Sequence, residues 1–303
     1  MRVAVCFACN EAYIPLCKGL LFSILDARRM FPRDWDISLN FVDIGCSAAS
    51  LDFLRGHGVV AHSFSRASHL PGVSPGQAPA YADAQLCRPF LPEVVPDHDV
   101  YVWIDCDIWV QGHDAIPTAA GAARAFPGKI VICPEYHYGY MAQRNLRYAV
   151  IAHRHWYVSL YGEDVAEELC FRPLFNSGFF ALERKSVLWE QWGEELRRLY
   201  AGDADGATLH FAEQIGLNRL IQREQAFVPL DPLFNYACGG SAVFRNPQGR
   251  VVVGYPPFTP VKCAHLLDFP RYGAMYLQKG LLYKGGKYLD DAERASLLAR
   301  AGG

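Results

Sequence analysis

The sequence contains no stretch approaching the roughly 20 consecutive apolar residues that cross a bilayer, which excludes a membrane-spanning helix of ordinary length. Excess charge of either sign is also missing. The formal net charge is −2, and the densest basic spots, Arg197-Arg198 and Lys284 to Lys287, are too short to neutralise a run of phosphates. Nucleic acid is therefore not an expected partner. The glycine-built nucleotide motifs G-x-G-x-x-G and G-x-x-x-x-G-K-[ST] are absent, which argues against a dinucleotide fingerprint and an ATPase phosphate loop. No internal repeat, low-complexity tract or linker interrupts the chain.

Cysteine, by contrast, is plentiful, but the ten residues are spread through apolar runs and read as reduced, buried thiols instead of a disulfide framework. Cys6 and Cys9 form the one C-x-x-C. It lies within and just after the apolar run Val3 to Ala8, has no second pair to complete a zinc site, and reads as part of a buried strand. The N-terminal apolar run ends at Asn10-Glu11, too short for a signal peptide, so a cytoplasmic location is expected, with peripheral membrane association left open. With 51% apolar and 20% charged residues over 303 positions, the chain can bury a sizeable core as one domain.

The N-terminal half alternates apolar strand-like runs with helix-like segments, a pattern that predicts a mainly parallel sheet covered on both faces. Strands are expected at Arg2 to Ala8, Asp36 to Ile44, Val59 to Phe64 and Val100 to Ile104. Helices are expected at Ile14 to Met30, Ser47 to Gly56 and Ala80 to Leu91. Farther on, Lys129 to Cys133 and Gly178 to Leu182 read as strands, and Arg184 to Leu199 and Leu209 to Gln222 as helices. Ala242 to Gly254 carries a hairpin signal around Asn246-Pro247-Gln248-Gly249, and Asp290 to Gly303 reads as a surface helix.

The chemistry centres on Tyr101-Val102-Trp103-Ile104-Asp105-Cys106-Asp107, an apolar strand that ends in two carboxylates one residue apart. Open α/β sheets bind ligands beyond the carboxyl ends of their strands. Side chains at i and i+2 of an extended chain point the same way, so both acids can approach one hard cation. A divalent metal held there would neutralise a pyrophosphate and stabilise it as a leaving group. By itself a D-x-D also caps helices or stays solvated. The same string suits a haloacid-dehalogenase-type phosphatase too, but that reading expects the acids near the chain start and Thr or Val where Trp109 stands.

Other short motifs stand in order around this triplet. They are Phe7-Ala8-Cys9-Asn10-Glu11-Ala12-Tyr13, Arg88-Pro89-Phe90-Leu91-Pro92-Glu93, Phe175-Asn176-Ser177-Gly178-Phe179-Phe180, Glu213-Gln214 with Leu217-Asn218, and a late His265. The series resembles the GT-A-fold glycosyltransferases, most of all the retaining family 8 enzymes that use UDP-glucose or UDP-galactose. The resemblance spans nearly the whole chain. It implies a nucleotide-binding half, 1–110, and a sugar- and acceptor-binding half, 111–303, within a single domain. It implies that Ala8, Asn10 and Tyr13 line the nucleoside pocket, and that Arg88, Asp105 and Arg271 help bind the donor. Asp105, Asp107 and His265 would ligate manganese or magnesium, an imidazole beside two carboxylates favouring manganese. Asn176, Glu213 and Gln214 would face the sugar and act in transfer, with retention by front-face attack.

The chain departs from the family pattern at several points. Ile215 replaces the second acid of D-Q-D, and Glu213 replaces the first Asp; in H-x-x-G-x-x-K-P-W, Asp268 stands for Gly, Arg271 for Lys and Tyr272 for Pro. The same two acids leave a metal-dependent phosphoryl or nucleotidyl transferase open, and the departures at Ile215 and Asp268 leave open a nucleotide-sugar-binding protein of the same fold with little catalysis. The acceptor, a glycan, lipid-linked sugar or protein, is not named by any motif. Glu135, Tyr136, His137 and Tyr138 follow a strand and are expected to contact it, because aromatic rings pack on sugar faces. His153 and His155 have metal-like spacing but no acid at a useful distance, and read as the surface of a helix.

Overall fold

In the computed structural model the described residues are 1–74, 76–137, 146–202, 209–239 and 243–267, together with Ala292 and Ala295. Of the C-terminal segment expected to be a surface helix, Asp290 to Gly303, only Ala292 and Ala295 are described, both helical and exposed; the rest of it lies outside the described residues, as do Asp268, Arg271, Tyr272 and Tyr138.

The strands are β1 (Arg2–Cys9), β2 (Asp36–Asp43), β3 (Val59–Ser63), β4 (Val100–Ile104), β5 (Ile108–Val110) and β6 (Ile130–Pro134). They continue with β7 (Phe175–Glu183), β8 (Phe227–Pro229), β9 (Tyr236–Ala237), β10 (Val243–Arg245), β11 (Val251–Val253) and β12 (Cys263–His265). The central sheet has seven strands in the order β3-β2-β1-β4-β7-β6-β8. All run one way except β7, which is antiparallel to both neighbours. The mainly parallel sheet expected from the sequence is therefore present. A smaller sheet, β5-β12-β9, and the hairpin β10-β11 lie apart from it.

Strand alternation divides the interior into two layers. On β1, Val3, Val5, Phe7 and Cys9 join one apolar cluster, while Ala4, Cys6 and Ala8 join the other. On β4, Val100, Val102 and Ile104 face the first, and Tyr101 and Trp103 the second. Both faces are buried because both are covered by helices, which is why these strands read as unbroken apolar runs. The first layer packs under helices α1 (Ile14–Ala27) and, after the peripheral helix α2 (Ala48–Gly56), α3 (Ala115–Ala125). The chain then forms α4 (Leu146–Tyr161) and α5 (Glu163–Leu169). The second layer packs under α6 (Leu188–Tyr200) and α7 (Ala212–Glu224).

Ser47 starts α2 as expected, its hydroxyl accepting from the Ser50 N–H at 3.2 Å. The helix expected over Ala80 to Leu91 differs: it is broken into short turns at Ala80–Ala82, Asp83–Leu86, Arg88–Phe90 and Leu91–Val94. Pro89 and Pro92 have no N–H to continue a helical ladder. The break turns Arg88, 4% exposed, into the interior.

Candidate functional site

Asp105 follows directly on β4, and its backbone N–H donates to the Gly178 carbonyl at 2.8 Å, so the sheet ladder carries the acid to the strand's carboxyl end. Its Oδ1 accepts from Trp103 Nε1 at 2.7 Å and from Arg88 Nη2 at 2.5 Å. Two residues on, Asp107 Oδ1 lies 3.1 Å from His265 Nε2. This meeting is the product of the small sheet, in which His265 pairs opposite Ile108 and the Leu266 N–H donates to the Asp107 carbonyl at 2.9 Å. One ligand atom from each of Asp105, Asp107 and His265 falls within 4.8 Å of the other two. One cation can touch all three, and the set of two hard carboxylate oxygens and one imidazole nitrogen suits a divalent metal of the manganese type.

The second wall comes from β7. Between Ile132/Phe180 and Cys133/Asn176 its pairing with β6 shifts register, leaving the residues after Asn176 bulged toward the acids. Glycine is required there. A Cβ on Gly178 would lie 2.7 Å from Asp105 Oδ2, 2.8 Å from Asn176 Oδ1 and 2.9 Å from His265 Cε1. Asn176 Nδ2 donates to Glu135 Oε1 at 2.7 Å. Gln214, on the first turn of α7, donates to the same Glu135 oxygen at 3.2 Å, while its own oxygen accepts from the Ser177 N–H at 3.2 Å. The oxygen assigned from sequence to the sugar is thus engaged by the Ser177 amide here. Asn218, one helical turn after Gln214, clamps α7 to β7 by accepting from the Phe175 N–H and donating to the Phe175 carbonyl.

Arg88 joins the two walls. Nη1 donates to Glu213 Oε2 at 2.6 Å and to Ser177 Oγ at 2.8 Å, opposite the Nη2 bond to Asp105. Burial disfavours the guanidinium charge, but the flanking carboxylates outweigh it and raise the pKa further. Burial pushes Glu213 up to about 7, the Arg88 charge and the Ser177 bond only partly opposing it. For Asp107, burial pushes upward, yet the charge and hydrogen bond of His265 hold it below the ordinary carboxylate range. For His265, burial works against the charge, and Asp107 beside it raises the pKa.

These groups line one cleft of about 800 Å³, large enough for a nucleotide sugar. Ala8, near the carboxyl end of β1, and Asn10 and Tyr13, just after it, line the cleft, as do Tyr81, Trp156, His210 and Phe211. Every donor, metal and catalytic residue expected from sequence within the described residues lines it, from Asn10 and Arg88 through Asp105, Asp107, Asn176, Glu213 and Gln214 to His265; of the expected acceptor contacts Glu135 lines it, whereas Tyr136 and His137 do not. Arg271 lies outside the described residues. Asn10 Oδ1 is buried with no hydrogen-bond partner among the described residues.

Asn235 was not singled out from sequence, and Glu135 only as an acceptor contact. Asn235 is a buried amide just before β9, joined to both His265 and Asn176. Its signal, a polar residue between Phe234 and Tyr236, is too common to read. Ile215, the departure from the family motif, is fully buried against Tyr157, Leu169 and Leu174, so it points into the core and away from the cleft. Cys6 and Cys9 are buried in β1, and burial pushes both thiols well above their ordinary pKa. His155 is exposed on α4, and His153 stacks on Trp156 with ring centroids 5.7 Å apart. Gly72 to Gly76 has the form G-x-S-x-G, but Ser74 sits in a loop with its hydroxyl on Gln77 Oε1, not on the strand-to-helix elbow of a serine hydrolase.

No protein-family model matches the sequence, and no curated protein matches it at a significant level. Solved structures do match the fold. The galactosyltransferase LgtC, solved with donor and acceptor sugar analogues, is 14% identical with a TM-score of 0.57, over 97% of this chain and 99% of its own. Mouse xyloside xylosyltransferase 1 is 17% identical with a TM-score of 0.53, over 88% of this chain and 98% of its own. The bifunctional glycosyltransferase WbbM is 12% identical with a TM-score of 0.53, and 52% of its chain is covered. What these likenesses define is architecture: the chain has the GT-A glycosyltransferase fold. The acidic pair stands at the end of β4, facing the cleft.

Proposed function

We propose that the chain is a metal-dependent glycosyltransferase that moves a hexose from a nucleotide-sugar donor, UDP-glucose or UDP-galactose, with retention at the anomeric carbon. The observation that carries this reading is the convergence of Asp105, Asp107 and His265 on one wall of the cleft, in a GT-A fold. When bound, a divalent cation supplies positive charge to the diphosphate of the donor as it leaves. Ala8, Asn10 and Tyr13 hold the nucleoside, Asn10 Oδ1 accepting from the base or ribose. Arg88 orients Asp105 and Glu213 at once, so the acids are fixed before substrate arrives. Asn176, Glu135 and Gln214, joined by hydrogen bonds in the cleft, position the sugar, and with Glu213 engaged by Arg88 the role of stabilising positive charge developing on the ring passes in this reading to the Glu135 carboxylate.

The burial of Ile215 weighs against a binding-only protein, because the change in the D-Q-D motif does not reach the cleft. The aromatic side chains Tyr81, Trp156 and Phe211 on the cleft wall favour a carbohydrate acceptor.

The deciding experiment is a thermal-shift and calorimetric screen of UDP-, GDP- and ADP-sugars with and without manganese. Metal-dependent stabilisation by a UDP-hexose, followed by release of UDP and not of inorganic phosphate or pyrophosphate, is the expected result. Release of phosphate or pyrophosphate would move the chain to phosphoryl or nucleotidyl transfer, and no stabilisation by any donor would sink the proposal.

A further inference from the structure

His265 has two ring nitrogens, and only one faces the acidic pair: Nε2 lies 3.1 Å from Asp107 Oδ1, while Nδ1 lies 2.7 Å from Asn235 Oδ1. The contacts behind the ring decide which nitrogen carries a proton. The Gly178 backbone N–H is a pure donor, and it lies 2.8 Å from one side-chain atom of Asn176, so that atom is the amide oxygen. The other Asn176 atom is 2.7 Å from the Glu135 carboxylate, a pure acceptor when ionised, so that atom is the nitrogen. Both ends give Asn176 the same orientation.

The consequence passes to Asn235. Its atom 2.8 Å from the Asn176 oxygen must be the nitrogen, because two amide oxygens cannot bond. Its oxygen is then the atom turned to His265, and it requires a proton on Nδ1. With Nδ1 held protonated by Asn235, Nε2 is the nitrogen that releases its proton and offers a lone pair when a cation binds beside Asp107 and Asp105. Asn235 is 5% exposed and His265 2% exposed, so water does not compete for these bonds.

We infer that Asn235 is a positioning residue: it fixes the tautomer and ring orientation of His265 so that Nε2 is presented to a cation. The inference rests on the reading of Asp105, Asp107 and His265 as a cation site. It assigns a role to a residue outside the ligand set, acting through a relay anchored at Gly178 and Glu135.

The test uses the full chain and manganese alone, read by titration calorimetry, so no turnover is needed. Asn235→Ala is expected to weaken manganese binding by about 10- to 100-fold. Asn235→Asp, which keeps an oxygen on Nδ1 but sets its second oxygen against the Asn176 oxygen, is expected to restore part of that loss. In a His265→Ala background, adding Asn235→Ala is expected to change manganese affinity no further, because the route through the imidazole is gone. Wild-type affinity in Asn235→Ala, or a loss that persists undiminished in the His265→Ala background, overturns the inference while leaving the cation site standing. A wild-type chain that binds no manganese overturns both. Should Asn235→Ala fail to fold, proton–nitrogen correlation spectra of His265 in the magnesium-loaded wild-type protein decide: a protonated Nδ1 supports the assignment, and an unprotonated Nδ1 ends it.

Discussion

Glu213 shows how one side chain can be structural and chemical at once. Its carboxylate is 2% exposed and bonded to Arg88 and Ser177, and burial pushes its pKa from 4.5 up to about 7. The protonated form is therefore favoured more in the folded chain than in the unfolded one. Stability from this group is fully present below about pH 4.5 and is lost as pH rises toward 7, at up to about 1 kcal/mol per pH unit. Urea unfolding across that window is expected to show a flatter pH dependence in Glu213→Gln than in the wild type. His265 behaves with its own sign. Asp107 raises its pKa in the metal-free chain, so a cation must displace a proton from the ring, and manganese affinity is expected to climb as pH rises through that pKa. Calorimetry in buffers of different ionisation enthalpy measures the displaced proton; a heat independent of buffer counts against this exchange. Asp105→Ala and Asp107→Ala are each expected to lower transfer by about 1000-fold or more, a loss on the scale of removing a main electrostatic stabiliser.

At the scale of elements, the register shift in β7 and the broken segment around Pro89 do the positioning. The first turns Asn176 to Gly178 toward the acids, and the second buries Arg88 between Asp105 and Glu213. Gly178→Ala places a methyl carbon within 3 Å of Asp105, Asn176 and His265, so it is expected to abolish manganese binding while leaving the circular dichroism spectrum of the fold intact. Retained binding would mean that β7 yields more than its seven-strand sheet allows. Ile215 tests the opposite case. Restoring an acid with Ile215→Asp buries an unpaired carboxylate against Tyr157 and Leu174, and is expected to cost several kcal/mol of stability with no gain in activity. Chemical denaturation and a transfer assay on the same preparation distinguish the two effects.

Across the whole molecule, the site is held by the two apolar layers that sandwich the sheet. Trp192 is fully buried, packs near Phe180 and Trp189, and donates to the Glu213 carbonyl at 3.2 Å, tying α6 to the start of α7. Trp192→Ala is expected to destabilise the fold by about 3–5 kcal/mol in urea unfolding. Much of this architecture was legible in advance. The strands Arg2–Cys9 and Val100–Ile104 are continuous apolar runs because both faces of each are covered, and such runs announce themselves. The strands β5, β9 and β12 were not legible, since two or three residues give periodicity nothing to act on.

The amino-acid order alone settled that an acidic pair would close a buried strand of a mainly parallel sheet, because apolar alternation and the abrupt change to Asp105 and Asp107 are local properties of the chain. It also supplied the candidates Asn10, Arg88, Asn176, Glu213, Gln214 and His265. Only the tertiary structure decided what those candidates touch: that Arg88 spends its charge on Asp105 and Glu213, that Ile215 faces the core, and that Asn235 backs His265. The physical reason is range. Secondary structure follows from neighbours a few positions apart, whereas the direction of a buried polar side chain is set by partners brought close by the fold from distant parts of the sequence.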